Sequence, residues 1–396
     1  EVIHYVTHYE AVDNMNKLLN DRKLATAIDE YFGYEYRKEL KAWLNNIAND
    51  RDALQNFTVF DKTFRYLRTG TSIVAMGFKF WTGIAQTLGL LTAADEIGGR
   101  YVLLGMKEIM QGNVKTWKMV NEKSGEMRHI AKTFDREVRS TLDAFAASGK
   151  IGKLGNLHRG VVKAAFLHIA YIQKTVNMAT WLGAYRKYQR DNPGATEDSA
   201  IKYADSVVRT TQSAGGAKDL AGIQAKGEGM KLITMFYTYF SVLYNRERQM
   251  FRNMKKVSDM PKAVASFMWL IAMPVILESL MKGQVPEDED EWAEWFFFQS
   301  MLYGTTSVPF VRDVANGALT EYGYSFTPAE GILESSIRAG KKAAEGDFDD
   351  VFWRNTAKAG GALLHLPTGQ ATKTIEFFLD GKSDEPVREF IMGPKR

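Results

Sequence analysis

The sequence predicts an all-α protein, an elongated multi-helix bundle, on three observations. Apolar residues recur at helical spacing nearly everywhere, whereas period-2 alternation over β-branched residues is almost absent. All but one of the 9 prolines lie at or beyond Pro261. The first two thirds can therefore carry long helices, while the C-terminal third is divided into shorter, Pro-broken ones. Composition is the third observation: 45% hydrophobic and 25% charged residues, with 23 Phe, 17 Tyr and 8 Trp, provide for a large core and argue against disorder.

Charge and cysteine usage exclude several classes. The 51 basic and 47 acidic residues are spread along the chain and leave a net charge of +4, without the electrostatic footprint of a dedicated nucleic-acid binder. With no cysteine, the chain has no disulfide, no thiolate metal site and no Cys nucleophile, and it tolerates reducing and oxidising compartments alike. It begins at Glu1 with no basic-then-apolar leader, and is expected to be part of a longer polypeptide or a processed product.

Taken in chain order, His4 and His8 share a helix face, but "HYVTH" lacks the acid that a zinc-protease motif places beside its first His, so a surface pair is expected. Ser72 to Ala94 is a 23-residue apolar segment whose one charge is Lys79. Its length suits a bilayer span, yet a charge inside the hydrocarbon costs about 2.5–3.5 kcal/mol, so the alternative is a buried bundle helix. Lys115 to Arg139 interleaves basic and acidic residues and reads as a solvated helix with intrahelical pairs. The glycine-rich "GKIGKLGNLHRG", Gly149 to Gly160, lacks the frame of a phosphate loop and reads as a basic, flexible hinge.

Pro193-Gly194 forms a turn, Thr196 caps, and Glu197 and Asp198 complement the dipole of a helix running to about Gln212 and stopping at Gly215-Gly216. Ser213 to Gly229, with five glycines, reads as a linker. In the helix that follows, Leu232, Met235, Phe236, Tyr239, Phe240, Leu243 and Met250 form one apolar stripe, either a core face or a face covered in one state and released in another. Ala263 to Leu277 is an uncharged run of 15 residues, too short to span a bilayer of about 30 Å, with Pro274 expected to kink it. The acidic Glu287 to Glu291 reads as a solvated helix start, and "WAEWFFFQSMLY" behind it is apolar on every side, so it is buried in protein, in lipid or against a partner. In "SFTPAEG", Thr327 caps, Pro328 takes the first helical position and Glu330 completes a capping box.

These signals divide the chain into an N-terminal helical region over 1–150, a middle block over 151–229 ending in the Gly-rich linker, and a C-terminal block over 230–396. His129, His158, His168 and His365 have no arrangement that forms a triad, and the sequence offers no catalytic residue, no metal ligand and no cofactor site. The candidate site is instead a membrane or partner face made of Phe236, Tyr239, Phe240, Leu243, Trp269, Trp292, Trp295, Phe296, Phe297 and Phe298.

Over residues 160–396 the blocks "SVVRTTQSAGGAKDLAGIQ", "MFYTYFSVLYNR", "MWLIAMPVILESLM" with "PEDEDEW", "SVPFVRDVANGA" and "LPTGQATKT" occur in an order that resembles the C-terminal region of large polyvalent phage proteins. Those proteins are similar in role to the internal virion, or DNA ejection, proteins of short-tailed bacteriophages. The resemblance implies a protein of the virion interior that packs near the portal with copies of itself and other internal proteins. It is then delivered to the host periplasm and inner membrane to help build a conduit for the genome, touching DNA only non-specifically. Relatives often carry a peptidoglycan-cleaving domain, but no Glu here stands in its context, and the expectation is a non-enzyme. The alternative expectation is a non-catalytic helical connector of a polyvalent phage protein whose enzymatic domain lies outside this segment. An ordinary integral membrane protein is disfavoured by the mean hydropathy of −0.27.

Overall fold

The structure, a computed structural model, describes residues 2–49, 58–130, 153–212, 227–235, 237–286, 288–305, 307–308, 311, 328–380 and 389. Among them the chain is all-α, with no strand. Helices α1 (Val2–Asn20), α2 (Arg22–Phe32) and α3 (Tyr34–Asn49) pack against one another. Asp21 caps α2 by accepting from Leu24 N at 3.0 Å, and Arg37 of α3 clasps Asp29 of α2 with two bonds of 2.7 Å.

Helix α4 (Val59–Met76) opens with a capping box between Thr58 and Asp61. It ends at Gly77, and Phe78 follows at φ 56°, in the left-handed region. Helix α5 (Phe80–Ala85), a 3-10 turn over Gln86–Leu88 and α6 (Gly89–Ile97) come next. The 72–94 segment is therefore not one spanning helix. The physical reason is tertiary: Phe78 N donates to Ala165 O at 2.9 Å, and a Cβ on Gly77 would stand 2.6 Å from Pro367 Cβ, so this corner is clamped between two segments distant in sequence. Lys79 lies at the corner, where burial pulls its ammonium below the usual lysine range.

The main core joins α6, α7 (Gly99–Lys123), α8 (Gly125–Ile130), α9 (Lys153–Asp191) and α10 (Glu197–Thr211) around Ile97, Val120, Met178, Trp181, Leu182 and Val208. Trp181 is fully buried, stacks on Tyr185 at 5.0 Å and donates to Asp205 Oδ1 at 2.7 Å; Ser124 Oγ donates to the same oxygen at 2.5 Å. Helices α7 and α9 touch backbone to backbone: a Cβ on Gly105 would meet Ala179 O at 2.0 Å, and one on Gly183 would meet Tyr101 O at 2.4 Å. This core draws on residues from both sides of position 150.

Thr196 caps α10 by accepting from Ser199 N at 3.3 Å, as the sequence predicts. The helix stops at Thr211 because Gln212 turns its amide inward to Gly89 O at 2.9 Å, while Thr92 Oγ1 donates to Thr211 O at 2.7 Å. Gly215-Gly216 lies outside the described residues. From Lys153 onward the expected hinge is the first part of the 39-residue α9. Its glycines are carried in the helix because the following turns bury Val162, Phe166 and Ile169 against Ile73 and Met76 of α4.

The C-terminal third consists of α11 (Glu228–Ile233), α12 (Thr238–Asn253), a 3-10 turn (Val257–Asp259), α13 (Met260–Phe267), a π segment (Met268–Ala272) and α14 (Met273–Lys282). A 3-10 turn (Glu289–Glu291), α15 (Trp292–Thr305), α16 (Pro328–Glu345), α17 (Asp350–Leu364) and α18 (Thr368–Asp380) complete it. Glu228 and Gly229, expected in a linker, belong to α11; the rest of that linker up to residue 226 lies outside the described residues. Pro328 opens α16 as predicted, whereas Thr327 lies outside the described residues. Helices α16 and α17 form a hairpin that, with α18, packs on α4. Small residues permit the approach, since a Cβ on Gly70 would meet Ala362 O at 1.9 Å and one on Gly369 would meet Val74 O at 2.0 Å.

Candidate membrane and partner face

The aromatic stripe is divided between two helices. Thr234, at φ −94° and ψ 25°, bonds its hydroxyl back to Met230 O at 2.8 Å, and the chain turns before α12 begins at Thr238. Tyr237 in that turn is held by Ser307, whose carbonyl accepts its hydroxyl at 2.8 Å. Met235 thus ends the first piece, and Tyr239, Phe240, Leu243 and Met250 belong to the second. Phe236 lies outside the described residues.

The nine described candidates fall into an inner and an outer set. Leu243 is fully buried and packs with Leu270, Ile271, Phe267 and Tyr303. Tyr239, Phe240, Trp269, Trp295 and Phe296 are half-buried, while Trp292, Phe297 and Phe298 are exposed, Phe297 by 60%. Tyr239 and Tyr303 place their hydroxyl oxygens 3.0 Å apart; burial pushes Tyr239 to about 12 and raises Tyr303 well above the usual tyrosine range.

The run 263–277 is longer as a helix than as an uncharged sequence. Val257–Met281 is a continuous 25-residue helical stretch with a mean hydropathy of 1.8 over its best window, of which 33% is buried. By length and composition it is long and apolar enough to cross a membrane, which corrects the expectation of a run too short to do so. Pro274 sits just after the π segment, where Met273 N bonds back to Met268 O, and the widened turn absorbs the donor that proline lacks. One flank buries Leu270, Ile271, Ala272 and Val275; another leaves Val257, Met260, Val264 and Met268 exposed at i, i+3, i+7 and i+11.

Polar groups hold this apolar unit in place. Arg246 of α12 is buried and donates to Asp95 through Nε at 3.0 Å and through Nη2, and to Glu96 through Nη1, tying α12 to the end of α6. Glu247 accepts from Ser307 Oγ through Oε2, its buried Oε1 has no partner, and desolvation raises its carboxyl to about 7. An open cleft of about 620 Å³ lies beside the clamp, lined by Asp95, Arg246, Lys255, Lys262, Ser266 and Trp269 among others.

Sequence reasoning missed Arg246, Glu247 and Ser307. A signal existed for one of them: Tyr239, Leu243 and Glu247 stand at i, i+4 and i+8, so a carboxylate sits on the apolar face itself. Nothing in the sequence marks Asp95 or Ser307 as its neighbourhood, since both lie far along the chain. Among the described residues no group of three or more His, Cys, Asp or Glu could hold a metal ion, and the side chains of His4 and His8 lie outside them. No protein family, curated protein or solved structure matches the chain.

Proposed function

We propose that this chain is part of a phage internal virion, or ejection, protein: a non-enzymatic helical subunit stowed in the capsid near the portal with copies of itself and other internal proteins. After delivery it engages the host inner membrane and helps form the conduit for the genome. One observation carries the reading. The helix of spanning length and composition, Val257–Met281, leaves Val257, Met260, Val264 and Met268 exposed along one flank, and the all-round apolar α15 that follows leaves Phe297, Phe298 and Met301 exposed. An apolar helix without a matching apolar partner is stable only where lipid or protein covers it. The order of motifs over residues 160–396, which resembles polyvalent phage proteins, supports the same role.

Liposome flotation tests the membrane half. The protein is expected to float with vesicles, more so after raised pH or chaotrope loosens α12 from the 257–281 helix. Protein that stays at the bottom of the gradient under all these conditions refutes it.

A further inference from the structure

Between α12 and α13 the surface is basic and apolar at once. Arg248, Arg252, Lys255, Lys256 and Lys262 are exposed and take part in no ion pair among the described residues. Interleaved with them, Phe251, Met254, Val257, Met260 and Val264 are exposed, Val257 by 87% and Phe251 by 62%. The one acid in this stretch of 248–262 is Asp259, whose Oδ2 accepts from the backbone N–H groups of Lys255 and Lys256 at 3.2 and 2.9 Å and is spent on the turn. Five cations and one internally used anion therefore share a patch with five large apolar side chains.

We infer that this patch docks on an anionic lipid surface and is the end of the 257–281 helix that meets the membrane first. Three features favour lipid over other occupants. Cations on long stems beside protruding Phe, Met and Val side chains match a headgroup layer, where the charge meets phosphate and the apolar tips enter the acyl boundary. The opposite end of the helix is followed by Asp288, Glu289, Asp290 and Glu291, all exposed, so only the basic end is drawn to an anionic leaflet. The cleft beside the clamp opens onto the patch through Met254, Lys255 and Lys262, with Trp269 in its wall, a residue that favours the headgroup level of a bilayer. A nucleic acid would use the cations but gain nothing from the five apolar side chains between them.

The inference rests on the membrane reading above, and its test separates the two. Co-sedimentation is measured with phosphatidylcholine vesicles, with vesicles that also contain phosphatidylglycerol, and with duplex DNA, at low and high salt. The variant is R248Q/R252Q/K255Q/K256Q, whose replaced side chains are all exposed, with circular dichroism to check folding. Binding is expected to need phosphatidylglycerol, to weaken with salt, and to fall in the variant by about fivefold per removed charge. A second variant, V257D/M260D, keeps the cations and is also expected to lose vesicle binding. Equal binding to both vesicle types leaves the membrane reading standing and overturns this one. So does a quadruple variant that loses DNA binding but keeps its vesicle affinity. Absence of binding to any vesicle, even after loosening, overturns both.

Discussion

Replacing Glu247 with Gln is expected to stabilise the contact of α12 with the 257–281 helix and α15 at neutral and alkaline pH and to remove a pH dependence. Burial raises this carboxyl from its ordinary 4.5 to about 7. The folded protein thus holds the proton more tightly than the unfolded chain does. Stability from this group is full below pH 4.5, falls as pH rises towards 7, and is flat above. At about 1.4 kcal/mol per tenfold change in proton affinity, the ionised side chain costs the folded state up to about 3 kcal/mol above pH 7. The Oε1 atom without a partner is the structural origin of the cost, because Ser307 satisfies only the other oxygen. The groups around it, Tyr239, Tyr303 and Glu278, supply no cation to offset the charge. Glutamine keeps the shape and can still bond Ser307 without carrying charge. Hydrogen-exchange protection across residues 270–303, corrected for intrinsic rates and followed from acid to alkaline pH, reads the effect. Protection in the parent should fall by a factor approaching a hundred between pH 4.5 and 7, and Glu247→Gln should hold it level. The same pH slope in both proteins would refute the reasoning.

Gly105→Leu should cost about 3 kcal/mol or more in thermal or urea melts, because any Cβ there collides with the Ala179 carbonyl. Gly360→Ala, where a Cβ meets nothing within 4 Å, should be neutral or stabilise by up to about 1 kcal/mol. Arg246→Leu strands the buried Asp95 carboxylate and should cost about 3–5 kcal/mol in urea titrations; the double change with Asp95→Leu should recover most of the loss.

The helical class was legible because hydrophobic period and proline placement are local properties, and so was the start of α10, where Thr196 caps within one turn. Helix breaks were less legible. The corner at Gly77–Lys79 depends on Ala165 and Pro367, and the turn at 234–237 depends on Ser307, all far along the chain. The 72–94 segment, whose length suits a bilayer but whose Lys79 favours a buried bundle helix, is folded into the bundle as parts of α4, α5, a 3-10 turn and α6. The one judged too short, 263–277, is the middle of a 25-residue helix with one flank buried and another exposed. Uncharged length was a poor guide because a helix continues through Lys262 and Glu278 as readily as through Val and Leu, whereas Phe78, at positive φ with its N–H bonded to Ala165 O, ends one.

The polar residues near the apolar ones decide which helix can be released. Around 72–94 the backbone itself is gripped, with Gly70 and Gly77 under neighbouring chain atoms, and freeing it would mean unpacking α4 from α9, α17 and α18. The 257–281 helix and α15 have a different attachment: Trp269 packed on the main core beside Gly99, a small apolar cluster around Leu243 and Leu270, a tyrosine pair, and a carboxylate whose ionisation works against the contact. Few buried apolar contacts and titratable fastenings place this unit at the low end of local stability. The Arg246 clamp lies on the α12 side of that contact, tied to α6. Separation is therefore expected between α12 and the 257–281 helix, with Trp269 drawn off the main core, leaving α12 on the body while the 257–281 helix and α15 move.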